Sequence, residues 1–245
     1  MILTPVFPTA GSPIDLESVD AKSLLTELYR PPRAEWLRLN LIGSVSGSAT
    51  GPDGTSETLT NLADRMLLGV IRAMSDVVVV GAASVRAEGY FVPRKGALAV
   101  VSRSGDFSGH RIKDTGAHGS VLILCPAGVA ERARATMGLA DVTIVPVPDV
   151  DGSLTADAIV ASLRTAGYRS IVAEGGPALA TQLLLGGVVD ELCLTTSPVV
   201  NGGTLPLFGS QAFDGHPLTL DQLLIDDDGF TYARWGLDSR STAAD

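Results

Sequence analysis

Ser170-Ile171-Val172-Ala173-Glu174-Gly175-Gly176-Pro177-Ala178-Leu179-Ala180 holds a buried strand, a charged turn and a helix start in eleven residues. Ile171 to Ala173 is a short apolar run of strand type. Pro177 suits the first helical position, where its missing N–H costs nothing and its φ is already helical. Gly186 and Gly187 then close the helix. Two glycines directly before a helix N-terminus leave backbone N–H groups bare of side chains. The helix dipole adds partial positive charge there, worth about 0.3–1 kcal/mol to an anion. A plain strand-to-helix turn would use the same glycines. What separates the two is Glu174, a carboxylate at the carboxyl end of an apolar strand, where open α/β sheets collect their ligands. The stretch reads as a corner for a cofactor diphosphate.

Upstream, the chain alternates strand and helix. Trp36 to Ile42 reads as a strand ending in the small-residue segment Gly43-Ser44-Val45-Ser46-Gly47, which lets a ligand approach the backbone. Thr60 or Asn61 caps a helix whose apolar residues Leu62, Met66, Leu67, Val70, Ile71 and Met74 recur at helical spacing. Val77 to Val80 is a strand buried on both faces that empties into a loop at Gly81-Ala82-Ala83-Ser84. Leu98 to Val101 is another, ending in Ser102-Arg103-Ser104-Gly105, a hydroxyl and a guanidinium suited to a phosphate monoester. Strands at 121–124 and 142–147 and helices at 129–137 and 155–166 complete a cadence of crossover-connected, largely parallel strands.

The ends differ in kind. Residues 1 to 17 look like an arm, followed by a helix that Ser18 caps and that runs to Tyr29, where Arg30-Pro31-Pro32 stops it. After the strand 190–196, Asn201-Gly202-Gly203 is a tight loop. Residues 218–225 and 230–235 flank Asp226-Asp227-Asp228-Gly229, read as a solvated hairpin turn and not a cation site. The expected organisation is an arm with one helix over 1–33, one α/β domain over 34–237 and a tail over 238–245.

Composition excludes several functions. The 245 residues are 45% hydrophobic, enough for a full core, and the net charge of −9 with scattered basic residues disfavours a nucleic-acid partner. Cys125 and Cys193 lie in apolar strand patterns as reduced thiols. The opening Met1-Ile2-Leu3-Thr4-Pro5 lacks the pattern of a secretory leader, and no apolar run reaches about 18 residues. The expectation is a soluble cytoplasmic protein with no membrane partner. No G-x-G-x-x-G follows the first strand, and P-loop, G-x-S-x-G and H-E-x-x-H motifs are missing. His110, His118 and His216 have no Cys or His at ligand spacing, so no metal is expected.

The motifs, taken in order, resemble a known family: the reductase domain of riboflavin biosynthesis, which has the dihydrofolate-reductase-like fold and in many bacteria follows a zinc deaminase domain. The resemblance runs from about Trp36 to Trp235. Ser44-Val45-Ser46-Gly47 stands for S-L-D-G, Ile71-Arg72-Ala73 for L-R-A, and Val80-Gly81-Ala82-Ala83-Ser84-Val85-Arg86-Ala87-Glu88 for V-G-x-x-T-V-x-x-D. Ala173 to Pro177 stands for V-E-G-G-P and Val189 to Leu192 for V-D-E-L. It implies a central mixed, mostly parallel sheet flanked by helices, with a C-terminal antiparallel hairpin.

The resemblance further implies NADPH-dependent reduction of the ribosylamino C1 of 5-amino-6-(5-phosphoribosylamino)uracil, in a homodimer. Ile42, Thr58, Ser84, Gly175, Gly176, Pro177, Ala178 and Leu179 would hold the cofactor, with Ser102 and Arg103 on its 2′-phosphate. Ser56, Arg72 and Lys95 or Arg94 fall on the side of the phosphorylated pyrimidine. Glu174 and Glu88, the latter where the family has Asp, would position the opened sugar and handle its protons. Two residues depart from the pattern: Ser46 replaces the Asp of S-L-D-G, and Asn40 stands where many members have Lys. With no deaminase domain in the sequence, a stand-alone member acting on an already deaminated pyrimidine is expected. Two rivals stay open. One is a pterin reductase of the same fold using Asp64, and the other a non-catalytic NADPH-binding subunit.

Overall fold

In the computed structural model, which describes residues 1–113, 119–202 and 205–237, the chain divides into two compact units. One comprises Met1–Arg33, Leu37–Met74 and the described residues from Val189 onward. The other comprises Ala34–Trp36 and Ser75–Val188. His118, Gly203 and the tail over 238–245 lie outside the described residues.

The first unit opens with β1 (Ile2–Phe7), β2 (Ile14–Asp15) and α1 (Ala21–Leu28), then β3 (Trp36–Ser44) and α2 (Leu62–Ala73). The second contains β4 (Val77–Gly81), α3 (Ala82–Ala87), β5 (Ala97–Val101), β6 (Ser120–Cys125), α4 (Ala130–Met137) and β7 (Val142–Pro146). A small hairpin of β8 (Asp149–Val150) and β9 (Ser153–Leu154) follows, then α5 (Ala156–Thr165), β10 (Ser170–Gly175) and α6 (Pro177–Leu185). The chain returns to the first unit with β11 (Glu191–Ser197), β12 (Thr219–Asp226) and β13 (Thr231–Gly236).

The second unit is parallel throughout its main sheet, in the order β10-β4-β5-β6-β7. Val77 to Val80 are each at most 3% exposed, as their unbroken β-branched run predicts for a strand covered on both faces. Thr155 caps α5 by accepting the Ala158 N–H at 3.1 Å, and Ile159 and Leu163 one turn apart are fully buried.

In the first unit the strand order is β2-β1-β12-β13-β11-β3, antiparallel except for β11 beside β3. Asn61 caps α2, its Oδ1 accepting the Asp64 N–H at 2.9 Å, with Asp64 in the first turn and Arg72 in the last, where each complements the dipole. Ala63, Leu67, Val70 and Ile71 form the buried stripe. Leu67 and Ile71 contribute about 1.5–3 kcal/mol each by burial.

Three readings of the sequence are corrected. Residues 2–7 form a strand, because Leu3 pairs opposite Asp226 and Leu3 also pairs with Ile14. Residues 82–87 form a short helix where a loop was expected. The aspartate run is not a wholly solvated turn. Asp226 is 7% exposed, and its Oδ2 accepts the Tyr232 hydroxyl at 2.6 Å and Asn61 Nδ2 at 2.7 Å, while its Oδ1 accepts the Asp228 and Phe230 amides. Among the described residues no group of side chains could hold a metal ion, and no helix is long and apolar enough to cross a membrane.

Candidate active site

The glycine corner is built from β10, β4 and the helices that follow them. Ala173 pairs with Val79 but Gly175 with Val80, so Glu174 is an extra residue at the end of β10. Such a bulge re-aims a side chain, and Glu174 is half-buried. Gly175 has φ 100°, a conformation that favours glycine. Gly176 donates its N–H to the Ser84 hydroxyl oxygen at 2.8 Å, and a Cβ on Gly176 would lie 2.8 Å from that same oxygen. A side chain at Gly176 would have to displace that hydroxyl and break the bond.

Pro177 occupies the start of α6 with no side-chain cap, and the first helical bond runs from Ala180 N–H to Gly176 O. The Ala178 and Leu179 amides therefore belong to an uncapped first turn, with the helix dipole behind them. A cradle of this kind, with bare amides at a helix start, fits a dinucleotide diphosphate.

Ser84 is the third residue of α3 and half-buried, and Glu88 caps that helix at its C-terminal end in extended conformation, its N–H on Ser84 O at 2.8 Å. At the carboxyl end of β5, Ser102 is 5% exposed, its Oγ accepting the Gly105 N–H at 3.1 Å, whereas Arg103 is exposed. The structure thus gathers Ser84, Glu174, Gly175 to Leu179, Ser102 and Arg103 at the carboxyl edge of one parallel sheet.

Arg94 and Lys95 are not among them. They are exposed and immediately precede Gly96 and the first residue of β5, at the amino edge, with the full strand of about 16 Å between them and Ser102. Motif position alone could not show this. The register Val77 to Ala97 does, because it fixes which end of β5 the pair occupies.

In the first unit, β3 and β11 run in register from Glu191 opposite Arg38 to Ser197 opposite Ser44. Ile42 is half-buried within β3, opposite Thr195. At the carboxyl ends, Ser44 Oγ donates to Asn201 Oδ1 at 2.8 Å, and Ser46 Oγ donates to the Asn201 carbonyl at 2.8 Å. In return Asn201 N–H donates to Ser46 Oγ at 3.1 Å, and Asn201 Nδ2 to Thr50 O at 2.9 Å. Ser46, at the position of the motif's Asp, is thereby committed to tying two loops together. Sequence reasoning missed Asn201 because its partner lies 155 positions away.

Thr58 is exposed and its hydroxyl donates to Asp53 Oδ1 at 2.9 Å. The Thr55 hydroxyl also bonds Asp53 and, as the larger influence, holds its carboxyl below the usual range. Ser56 is half-buried in the same loop, and Arg72 half-buried in the last turn of α2. Arg65 forms an exposed ion pair with Glu57.

Alternate residues of β3 and β11 share one face. On it a small cavity, with room for about one water, is lined by Asn40, Asp64, Cys193, Thr195, Tyr29 and Tyr232 among others. Asn40, in place of the family's Lys, puts a neutral amide on that wall. Asp64 accepts the Thr60 hydroxyl at 2.6 Å. Burial and the Glu191 carboxylate push the Cys193 thiol up to about 12.

The family model described as the RibD C-terminal domain matches residues 35–232. The chain belongs to that family. Among solved structures similar to this RibD C-terminal domain is a pyrimidine reductase-like protein of Corynebacterium diphtheriae, at 22% identity and TM-score 0.67, covering 88% of this chain and 99% of that one. A deaminase/5-amino-6-(5-phosphoribosylamino)uracil reductase of Thermotoga maritima aligns at 16% identity and TM-score 0.64, over 89% of this chain and 62% of its own. A riboflavin biosynthesis reductase of Saccharomyces cerevisiae aligns at 14% identity and TM-score 0.60, over 89% and 100%. No curated protein sequence matches. The RibD C-terminal domain here has the α/β, dihydrofolate-reductase-like fold that the motifs implied, within a family of riboflavin-pathway reductases.

Proposed function

We propose that the chain is an NADPH-dependent reductase that converts 5-amino-6-(5-phosphoribosylamino)uracil to its ribityl product. The observation that carries this is the corner at Gly175-Gly176-Pro177, where the Ser84 hydroxyl holds the Gly176 amide at 2.8 Å and a Cβ would displace that hydroxyl. Family membership supports the reaction type.

NADPH, when bound, supplies the hydride that forms the new C1–H bond as the C1–O bond of the ribose breaks. The residues at the corner then have three tasks. The Ala178 and Leu179 amides at the start of α6 bind the diphosphate, with Ser84 fixing the corner by holding the Gly176 amide. Arg103 binds the 2′-phosphate. Glu174 and Glu88 orient the opened sugar and handle the proton that its released ring oxygen takes up to become a hydroxyl. Ser56 and Arg72 serve the substrate phosphate. Most of the rate gain comes from orientation and exclusion of water.

The homodimer implied by the motif resemblance belongs to the same proposal, as does a cytoplasmic location. The test is NADPH oxidation by purified protein, followed by absorbance, with the aminouracil phosphate and separately with dihydrofolate. Oxidation with the first alone supports the proposal. Binding of NADPH without oxidation favours a non-catalytic subunit, and oxidation with dihydrofolate alone favours the pterin rival.

A further inference from the structure

Beyond the glycine corner, the second unit gathers positive charge on one short loop. After β5, Ser102 to Phe107 are tightly fixed. Gly105 has φ 65°, and a Cβ there would lie 2.7 Å from the Val129 carbonyl. Phe107 is fully buried and its N–H donates to Thr136 Oγ1 at 3.0 Å.

On this loop Asp106 collects two guanidinium groups from different helices. Arg86 of α3 donates to the Asp106 carbonyl at 3.0 Å, and Arg132 of α4 donates to Asp106 Oδ2 at 2.8 Å. The Ser108 amide, most strongly, and Arg132 hold the Asp106 carboxyl below the usual range, so it is charged at neutral pH. Arg103 stands three positions earlier on the same loop, exposed. Two guanidiniums against one carboxylate leave a surplus of one positive charge (2 − 1) on the loop that also carries the exposed Arg103, in a chain whose net charge is −9.

An exposed ion pair of this kind is worth little to stability, so stability does not account for the gathering. Its place in the fold does. Arg86 is two residues past Ser84, so α3 touches both the Gly176 amide at the end of β10 and the loop at the end of β5. The order β10-β4-β5 separates those strand ends by two strand spacings, about 9–10 Å. That is the same order as the separation between a dinucleotide's diphosphate and a phosphate on its adenosine ribose.

We infer that Arg86 and Arg132, gathered on Asp106, are specificity-determining residues that join Arg103 in holding the 2′-phosphate of the dinucleotide. The inference rests on the dinucleotide reading above and names the residues that set the preference for NADPH over NADH.

The test is titration of the wild-type chain and of Arg86→Ala, Arg132→Ala and Arg134→Ala with NADPH and with NADH, read by cofactor fluorescence. Calorimetry with 2′,5′-ADP and 5′-ADP gives a second readout independent of turnover. Each of the first two substitutions is expected to weaken NADPH and 2′,5′-ADP about three- to fivefold and leave NADH and 5′-ADP unchanged. Arg134, two positions along α4 and so on a different side of it, is the control and should change nothing. Loss of equal size for both members of a pair, or no loss in either variant, overturns the inference and leaves the dinucleotide reading standing. Failure of the wild type to bind either dinucleotide overturns both.

Discussion

The Gly176 amide donates to the Ser84 hydroxyl at 2.8 Å, across 92 positions of sequence and between the helices that follow two neighbouring parallel strands. This bond sets the shape of the corner where the diphosphate is proposed to sit. Ser84→Ala should therefore weaken NADPH by about five- to tenfold, the worth of one part-buried hydrogen bond. Gly176→Ala should weaken it more, because the new Cβ meets the hydroxyl at 2.8 Å. The double variant should lose less than the sum of the two, since removing the hydroxyl removes the clash. Fluorescence titration of the three variants checks the coupling, and strict additivity would refute it.

Glu174 sits on the bulge that ends β10. If it handles protons of the opened sugar, Glu174→Gln should lower kcat by at least about a hundredfold, the usual range for a general acid or base, while the Kd for NADPH moves little. Turnover unchanged by the substitution would remove Glu174 from the mechanism.

Asn201 is predicted to act on stability. Its side chain and backbone join the loop after β3 to the loop after β11 through Ser44, Ser46 and Thr50. Asn201→Ala removes the side-chain half of that set and should cost about 1–2 kcal/mol, measured as a lower midpoint in urea. A midpoint that does not move would show that the backbone bonds suffice.

The parts of this architecture that local chemistry specifies were legible in the sequence. Four valines in a row made β4, a cap at Thr60 or Asn61 opened α2, and Gly-Gly-Pro made the start of α6. What escaped depends on partners far along the chain. Strand β1 contains Pro5 and forms through pairing with β12, more than 200 positions later. An aspartate in an acidic run reads as solvated, yet Asp226 is buried because Tyr232 and Asn61 supply its hydrogen bonds. Arg86 falls on an unspecified position of its motif and Arg132 in no motif, and they become a pair only through Asp106.

Glu191 is 1% exposed and bridges two guanidiniums, Arg38 at 2.5 Å and Arg234. Arg38 also donates to the Tyr29 carbonyl at 2.8 Å and Arg234 to that of Leu28, so the pair caps the end of α1, with both guanidiniums over the Tyr29 ring at 5.9 and 5.3 Å. Glu191→Gln leaves the buried Arg38 and the half-buried Arg234 without a counter-charge and should destabilise the fold by about 3–5 kcal/mol. Replacing all three charged side chains by apolar ones of similar volume should be far closer to neutral. Urea titration of both variants decides, and equal losses would contradict the charge argument.

Alkaline pH supplies the last expectation. Burial, aided by Glu191, pushes the Cys193 thiol up to about 12, and burial also raises the Tyr29 and Tyr232 hydroxyls. In the unfolded chain the thiol ionises near pH 8.5–9 and the phenols near 10. Above those values the unfolded state binds fewer protons than the native state, so stability falls with rising pH, by about 1.4 kcal/mol per pH unit for each group. The contribution of Cys193 is complete below pH 8 and is lost progressively between about pH 8 and 12. Cys193→Ser should flatten the first part of that decline, between about pH 8 and 9, where the unfolded thiol ionises ahead of the phenols. Urea midpoints of the two proteins at half-unit steps of pH give the slopes, and parallel slopes over that interval would show that the thiol titrates alike in both states.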